Sequence, residues 1–207
     1  MHQYMSREEL ADIVIEALEV FLNHILYLRD LYPAQIFKKR RFYNAPVYVS
    51  IFPPLNSYIH NVLRTARELQ QRGVLQCVIL QFYHDEIPLN ECYSFNVTHF
   101  EADGQMMYEA QSANDKFLIE FEEQLRSSLY KLAERLKPLD SLPKSAKFKV
   151  ALNTTQEAFM NLSHNSNYQD FPWLCDGLNS ERNKSEIALL PLTRLNSIGL
   201  RLNLEIF

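Results

Sequence analysis

Three groups of residues in this chain have the types and spacing to do chemistry. His84-Asp85-Glu86 is the densest set of metal-ligand side chains. It falls in HDEIPLNE, which reads as a connection between two strands, where polar residues belong in any case. Asp12, Glu16 and Glu19 lie on one side of a predicted helix and read as its solvated strip. Lys38-Lys39-Arg40-Arg41 places four adjacent cations between Phe37 and Phe42, on what reads as an exposed connector. The four glycines, Gly73, Gly104, Gly177 and Gly199, are far apart, which excludes a phosphate-cradling loop or dinucleotide fingerprint. No G-x-S-x-G elbow is present. His24 reads as a hydrogen-bonded helix residue rather than a base. With no nucleophile, base and oxyanion site in view, the expectation is a non-enzyme with no cofactor and no metal. A small metal-dependent enzyme built on residues 84–86 is the alternative from another class.

The elements that must position these residues follow from periodicity. Ser6 and Glu9 form a capping box. Leu10, Val14, Leu18, Phe21, Ile25 and Leu28 then recur at helical spacing, with Ile13, Ile15, Val20 and Leu26 widening the stripe. A helix so apolar is expected to be buried on several sides and to end near Leu31, before Tyr32-Pro33. Ile36-Phe37 returns to the core. A second helix follows Pro53-Pro54, with Leu55, Ile59, Val62, Leu63, Ala66 and Leu69 on one face and Gly73 at its C-terminus. VLQCVILQFY and CYSFNVTHF read as a hairpin. A third helix, capped by Ser112 or Asn114, carries Phe117, Phe121, Leu125, Leu129, Leu132 and Leu136, and residues 146–152 form a further strand.

From Asn153 the chain turns polar and loses clear periodicity until the strand-like IALLPL and IGLRLNLEIF. A structureless stretch of that length is uncommon in a compact domain and tends to be functional. With no Gly-, Ser- or Pro-rich linker, residues 1–207 read as one α+β domain.

Composition bounds the function. The chain has 207 residues, is 47% hydrophobic and 22% charged, and carries a net charge of −4. That argues against a surface built mainly to coat nucleic acid, so any contact with DNA is expected to be local or made through a partner. Three unpaired-looking cysteines, Cys77, Cys92 and Cys175, point to a reducing compartment. No apolar run reaches the length of a membrane span, and no apolar signal region opens the chain, so an intracellular, soluble protein is expected.

The order helix-Tyr32-Pro33-x-x-Ile36-Phe37-basic-Tyr43-Asn44-x-Pro46-Val47 resembles the HORMA-domain proteins. Within them it is most similar to the branch of accessory subunits of translesion DNA polymerase zeta. Leu55-Asn56-Ser57-Tyr58-Ile59, Asp170-Phe171-Pro172-Trp173 and Leu189-Leu190-Pro191-Leu192 extend the resemblance over nearly the whole chain. It implies a HORMA fold, with three main helices on a mainly antiparallel sheet, a core over residues 1–152 and a C-terminal safety belt over 153–207. The belt traps a partner's peptide, which joins the sheet as an added strand.

What the resemblance implies about sites is specific. Tyr58 and Trp173 receive a proline-containing peptide, with Tyr32, Asp30 and Lys39 near the same groove and Leu174 and Cys175 beside Trp173. Arg126 and Lys131 belong to a HORMA–HORMA dimer surface. Leu189, Leu192, Leu200, Asn203 and Glu205 form a second docking face, where Asn203 stands for a longer amide and Glu205 for a tyrosine. The implied partners are the catalytic subunit of DNA polymerase zeta, the C-terminal domain of a Y-family inserter polymerase, and a HORMA-remodelling AAA+ ATPase. DNA is reached only indirectly and no membrane is involved. The implied function is an adaptor in DNA damage tolerance and repair, located in the nucleus and secondarily the cytoplasm, with KKRR also readable as an import signal. A spindle-checkpoint HORMA protein is the rival within the same class.

Overall fold

The computed structural model describes residues 6–86, 89, 91–97, 112–164 and 188–206. Helix α1 (Arg7–Leu28) starts at the expected capping box: the Ser6 hydroxyl accepts the Glu9 N–H at 3.1 Å, and the Glu9 carboxylate accepts the Ser6 N–H at 2.7 Å. Val14, Ala17, Leu18, Phe21, Ile25 and Leu26 are fully buried, so the wide apolar stripe is indeed covered from several sides. The helix stops at Leu28, three residues earlier than expected. Arg29 caps it, and Asp30 turns to a positive φ of 50°, which breaks the helix before Pro33 can.

The four cations are not on a connector. They form most of strand β1 (Phe37–Phe42), which pairs antiparallel with β2 (Ala45–Ser50). Tyr43 and Asn44 make the two-residue turn, both at positive φ (40° and 53°), as a hairpin turn matched to strand twist requires. The Tyr43 hydroxyl donates to Glu16 at 2.8 Å and the Asn44 amide to Glu122 at 2.9 Å. β2 reaches the core through Ala45 and Val47, and β1 only at its ends, where Phe37 is buried as expected and Phe42 packs against the core; the four cations between them remove the apolar alternation by which a strand is recognised.

Helix α2 (Pro53–Gln71) begins with both prolines in its first turn and buries the six apolar residues named above. Its C-terminus closes as a Schellman motif: Gly73, at φ 71°, donates to Gln70 O, and Val74 donates to Leu69 O. Strands β3 (Leu75–Tyr83), β4 (Glu91–Val97), β5 (Lys147–Thr154), β6 (Ala188–Leu195) and β7 (Leu200–Ile206) make an antiparallel sheet in the order β5-β3-β4-β7-β6. Val78, Leu80, Phe82, Tyr93, Phe95, Leu200, Leu202 and Leu204 are buried in the core, together with the apolar face of α3 (Ser112–Leu136). The cap at Ser112 or Asn114 lies outside the described side chains.

The first part of the polar stretch after Asn153 forms regular elements. Asn153 and Thr154 complete β5. The Thr155 hydroxyl then accepts the Ala158 N–H at 3.2 Å and caps a fourth helix, α4 (Gln156–Ser163), anchored by Ala158 and Leu162. Three main helices on an antiparallel sheet describe the rest.

Two polar expectations change. Asp12 pairs with Arg67 across α1 and α2, and Glu16 accepts a hydrogen bond from the Tyr43 hydroxyl, so that acidic strip braces neighbouring elements rather than only facing water. His24 is buried with neither ring nitrogen hydrogen-bonded, and burial lowers its pKa to about 4. It lies against the Tyr48 ring as a neutral aromatic.

Candidate functional site

Strand β5 ends the sheet and, among the described residues, has a neighbour on one side only. The Val150 N–H points away from β3 and donates to the Tyr58 hydroxyl at 2.8 Å. In an antiparallel ladder these directions alternate, so Phe148 and Leu152 also turn their backbone groups to the free edge. Such an edge is a template for an added strand.

Tyr58 is positioned from the sequence upward. Asn23, buried on α1, accepts the Ser50 N–H at 3.0 Å; the Ser50 hydroxyl accepts the Phe52 N–H, and the Asn56 amide donates to Ser50 O. These bonds fix where α2 starts, and Tyr58 follows within its second turn. Its ring meets Phe148 edge-on at 5.4 Å, and Tyr32 meets Phe148 from another side at 6.2 Å. Burial raises the pKa of both tyrosines. Tyr58 remains 37% exposed. Flat, partly wet rings of this kind suit proline, which packs without needing a donor from its missing N–H.

Asp30 and Lys39 sit around a second aromatic group. Lys39 is paired in register with Tyr48, which stacks on Tyr27 at 3.6 Å. The Tyr27 hydroxyl is raised in pKa first by its hydrogen bond to Tyr48, and Asp30 adds to the shift. Tyr32 and Tyr58 are thus brought together, through Phe148. Trp173, Leu174 and Cys175, with Asp170–Pro172, lie outside the described residues.

Sequence reasoning missed two supports of this site. Phe148 is the hinge of the aromatic wall, and its only signal was alternation in AKFKVAL. The second is the buried pair of Arg29 and Glu91, bidentate at 2.8 and 2.9 Å, with Arg29 also donating to Asp140 O at 2.7 Å. The Tyr93 hydroxyl donates to the same carboxylate, and burial, then Glu91, pushes its pKa up. This cluster ties the end of α1 to β4 immediately before Asp30.

On α3, Arg126 and Lys131 are exposed, and Arg126 shares a helical face with the exposed Ile119 and Tyr130. On the C-terminal strands, Leu192 (3% exposed) and Leu200 (fully buried) belong to the core, which corrects their assignment as docking anchors. They alternate inward with Leu202 and Leu204, leaving Asn203 and Glu205 half-buried on the other face. Leu189 pairs in register with Glu205, but its side chain lies outside those described.

The described residues contain no group of three potential metal ligands. Asp85 is engaged by Lys147, and the His84 ring accepts the Glu86 N–H. Burial pushes the Cys77 thiol up to about 12, so it is not a nucleophile at neutral pH.

A HORMA-domain family model matches residues 11–168. DNA polymerase zeta subunit 2 of Drosophila melanogaster is 44% identical over 207 residues, covering 98% of this chain and 99% of that protein. The mitotic spindle assembly checkpoint protein MAD2B of Danio rerio is 32% identical over 196 residues, covering 95% and 89%. Among solved structures, a chain of the mitotic checkpoint complex matches with a TM-score of 0.76 at 16% identity, covering 100% of this chain and 98% of that one. C. elegans HTP-1 bound to an HTP-3 motif matches with a TM-score of 0.67 at 18% identity, covering 97% and 90%. These two likenesses speak to the fold. With a domain match over most of its length and a relative this similar from end to end, the chain belongs to the HORMA-domain family.

Proposed function

We propose that this chain is a non-catalytic accessory subunit of DNA polymerase zeta. In this reading it clamps a proline-containing peptide of the catalytic subunit along the edge of β5, with residues 153–207 as the belt, and bridges it to a Y-family inserter polymerase. The observation that carries the reading is the β5 edge, without a neighbouring strand among the described residues, beside Tyr58, Tyr32 and Phe148, where backbone pairing and aromatic packing are offered together. Similarity to DNA polymerase zeta subunit 2 along nearly the whole chain supports the choice of partner. The rival, a spindle-checkpoint clamp, has the name of the Danio rerio relative, a mitotic spindle assembly checkpoint protein, on its side, but at 32% identity against 44%. A nuclear location follows from the same reading.

A ligand that binds only the folded state stabilises it by mass action, about 2.7 kcal/mol at a hundredfold excess over Kd. Thermal melts of the chain with and without a proline-containing fragment of the catalytic subunit test the proposal. A raised Tm is expected, and an unchanged Tm at saturating fragment rejects it.

A further inference from the structure

Lys38, Lys39, Arg40 and Arg41 follow one another along β1, and all four are exposed. Among the described residues none of their side chains has an ion-pair or hydrogen-bond partner, although acidic residues outnumber basic ones 25 to 21 in the chain. The strand is no floppy tail. It is paired residue by residue with β2, whose Ala45 and Val47 are fully buried, and its turn is tied to α1 and α3 through Glu16 and Glu122. A rigid, outward edge therefore holds four charges at fixed spacing, those two apart being about 6.6–6.8 Å from each other.

Arginine clusters also recognise acidic peptide motifs, so an acidic peptide is the competitor that the test sets against DNA. A phosphodiester backbone needs no pockets, only regularly placed charge, and arginine forks match phosphate oxygens in pairs. The net negative charge of the remaining surface disfavours any other approach to a polyanion, so the strip also sets orientation. We infer that the β1 edge docks the backbone of duplex DNA without reading its sequence. This departs from the expectation that DNA is reached only through partners, and it stands on the ribbon alone, independent of peptide capture.

Fluorescence anisotropy of a short labelled duplex, titrated with the full chain and no peptide, tests it. Four phosphate contacts predict a slope of about −3.6 in log K against log salt, roughly a hundredfold loss between about 50 and 200 mM. The variant Lys38→Gln/Arg40→Gln/Arg41→Gln should flatten the slope to about −0.9. A control removing equal charge elsewhere, Arg64→Gln/Lys116→Gln/Lys144→Gln, should keep the wild-type slope. If the strand variant fails to fold, Arg41→Gln alone should still reduce the slope by about 0.9. Absence of binding by the wild type at the lowest salt overturns the inference. So does an equal effect of the control, or displacement of the duplex by a polyglutamate peptide at lower charge concentration than by unlabelled duplex.

Discussion

The Tyr58 hydroxyl accepts the Val150 N–H at 2.8 Å, so a helix side chain occupies a backbone donor on the free edge of the sheet. A strand added to β5 must share or displace that bond, and the Tyr58 ring would then line the peptide's path. Tyr58→Ala is expected to weaken capture of the catalytic-subunit fragment by roughly 2 kcal/mol, about thirtyfold in Kd. Tyr58→Phe should stay within about 1 kcal/mol, because the exposed edge amide can turn to water. Calorimetry on both variants checks this, and equal losses would show that the hydroxyl rather than the ring matters.

Arg29→Ala strands a buried carboxylate and should cost about 3–5 kcal/mol in urea unfolding. Replacing both partners by apolar residues, Arg29→Met/Glu91→Leu, should recover most of it. A double variant as unstable as the single would mean that the link to Asp140 and Tyr93, not the ion pair, holds the end of α1.

His24 makes stability fall in acid. Its folded pKa of about 4 lies below the ordinary histidine value of 6.5, so the neutral ring's contribution is complete above pH 6.5 and is lost as pH falls toward 4. The loss is about 3 kcal/mol at 1.36 kcal/mol per pH unit. Urea midpoints between those pH values should drop for the wild type and much less for His24→Leu. Parallel curves would assign the acid limb to other groups.

Arg126, flanked by Ile119 and Tyr130 on the exposed face of α3, is the centre of the proposed HORMA–HORMA contact. Arg126→Ala should turn a dimer monomeric by light scattering while capture of the catalytic-subunit fragment is unchanged, since the side chain is exposed on α3, away from β5. A wild type that is monomeric at every concentration removes this surface from the account.

The C-terminal strands separate docking from stability. Leu192→Ala and Leu200→Ala should each destabilise by about 2–5 kcal/mol, as buried leucines do. Glu205→Lys, on the half-buried outer face, should instead slow association with the inserter polymerase domain, most at low salt. Stopped-flow association rates and melts on the same three proteins distinguish the two roles.

Local and periodic features were legible in the residues themselves. The capping box at Ser6, the α2 face from Leu55 to Leu69, the glycine stop at Gly73 and the β3–β4 hairpin depend on neighbours within a few positions or on a repeat of about 3.6 or 2. Tyr58 and Tyr32 could be singled out by resemblance, but nothing in their spacing showed that Phe148 joins them.

What tertiary structure alone decided involves distant partners. The Arg29–Glu91 pair spans 62 positions, and the burial that leaves His24 neutral comes from elements other than its own helix. The cationic run became a strand because backbone pairing with β2, whose Ala45 and Val47 are buried, holds its middle, while Phe37 and Phe42 anchor its two ends. Likewise Leu192 and Leu200 could be read as docking anchors until the sheet placed Leu200 opposite Val97 and Leu195, and Leu192 at the irregularity between Pro191 and Thr193, both buried in the core. A strand's two faces look alike in sequence when both carry leucine or polar residues, and only the packing of the sheet says which face meets water.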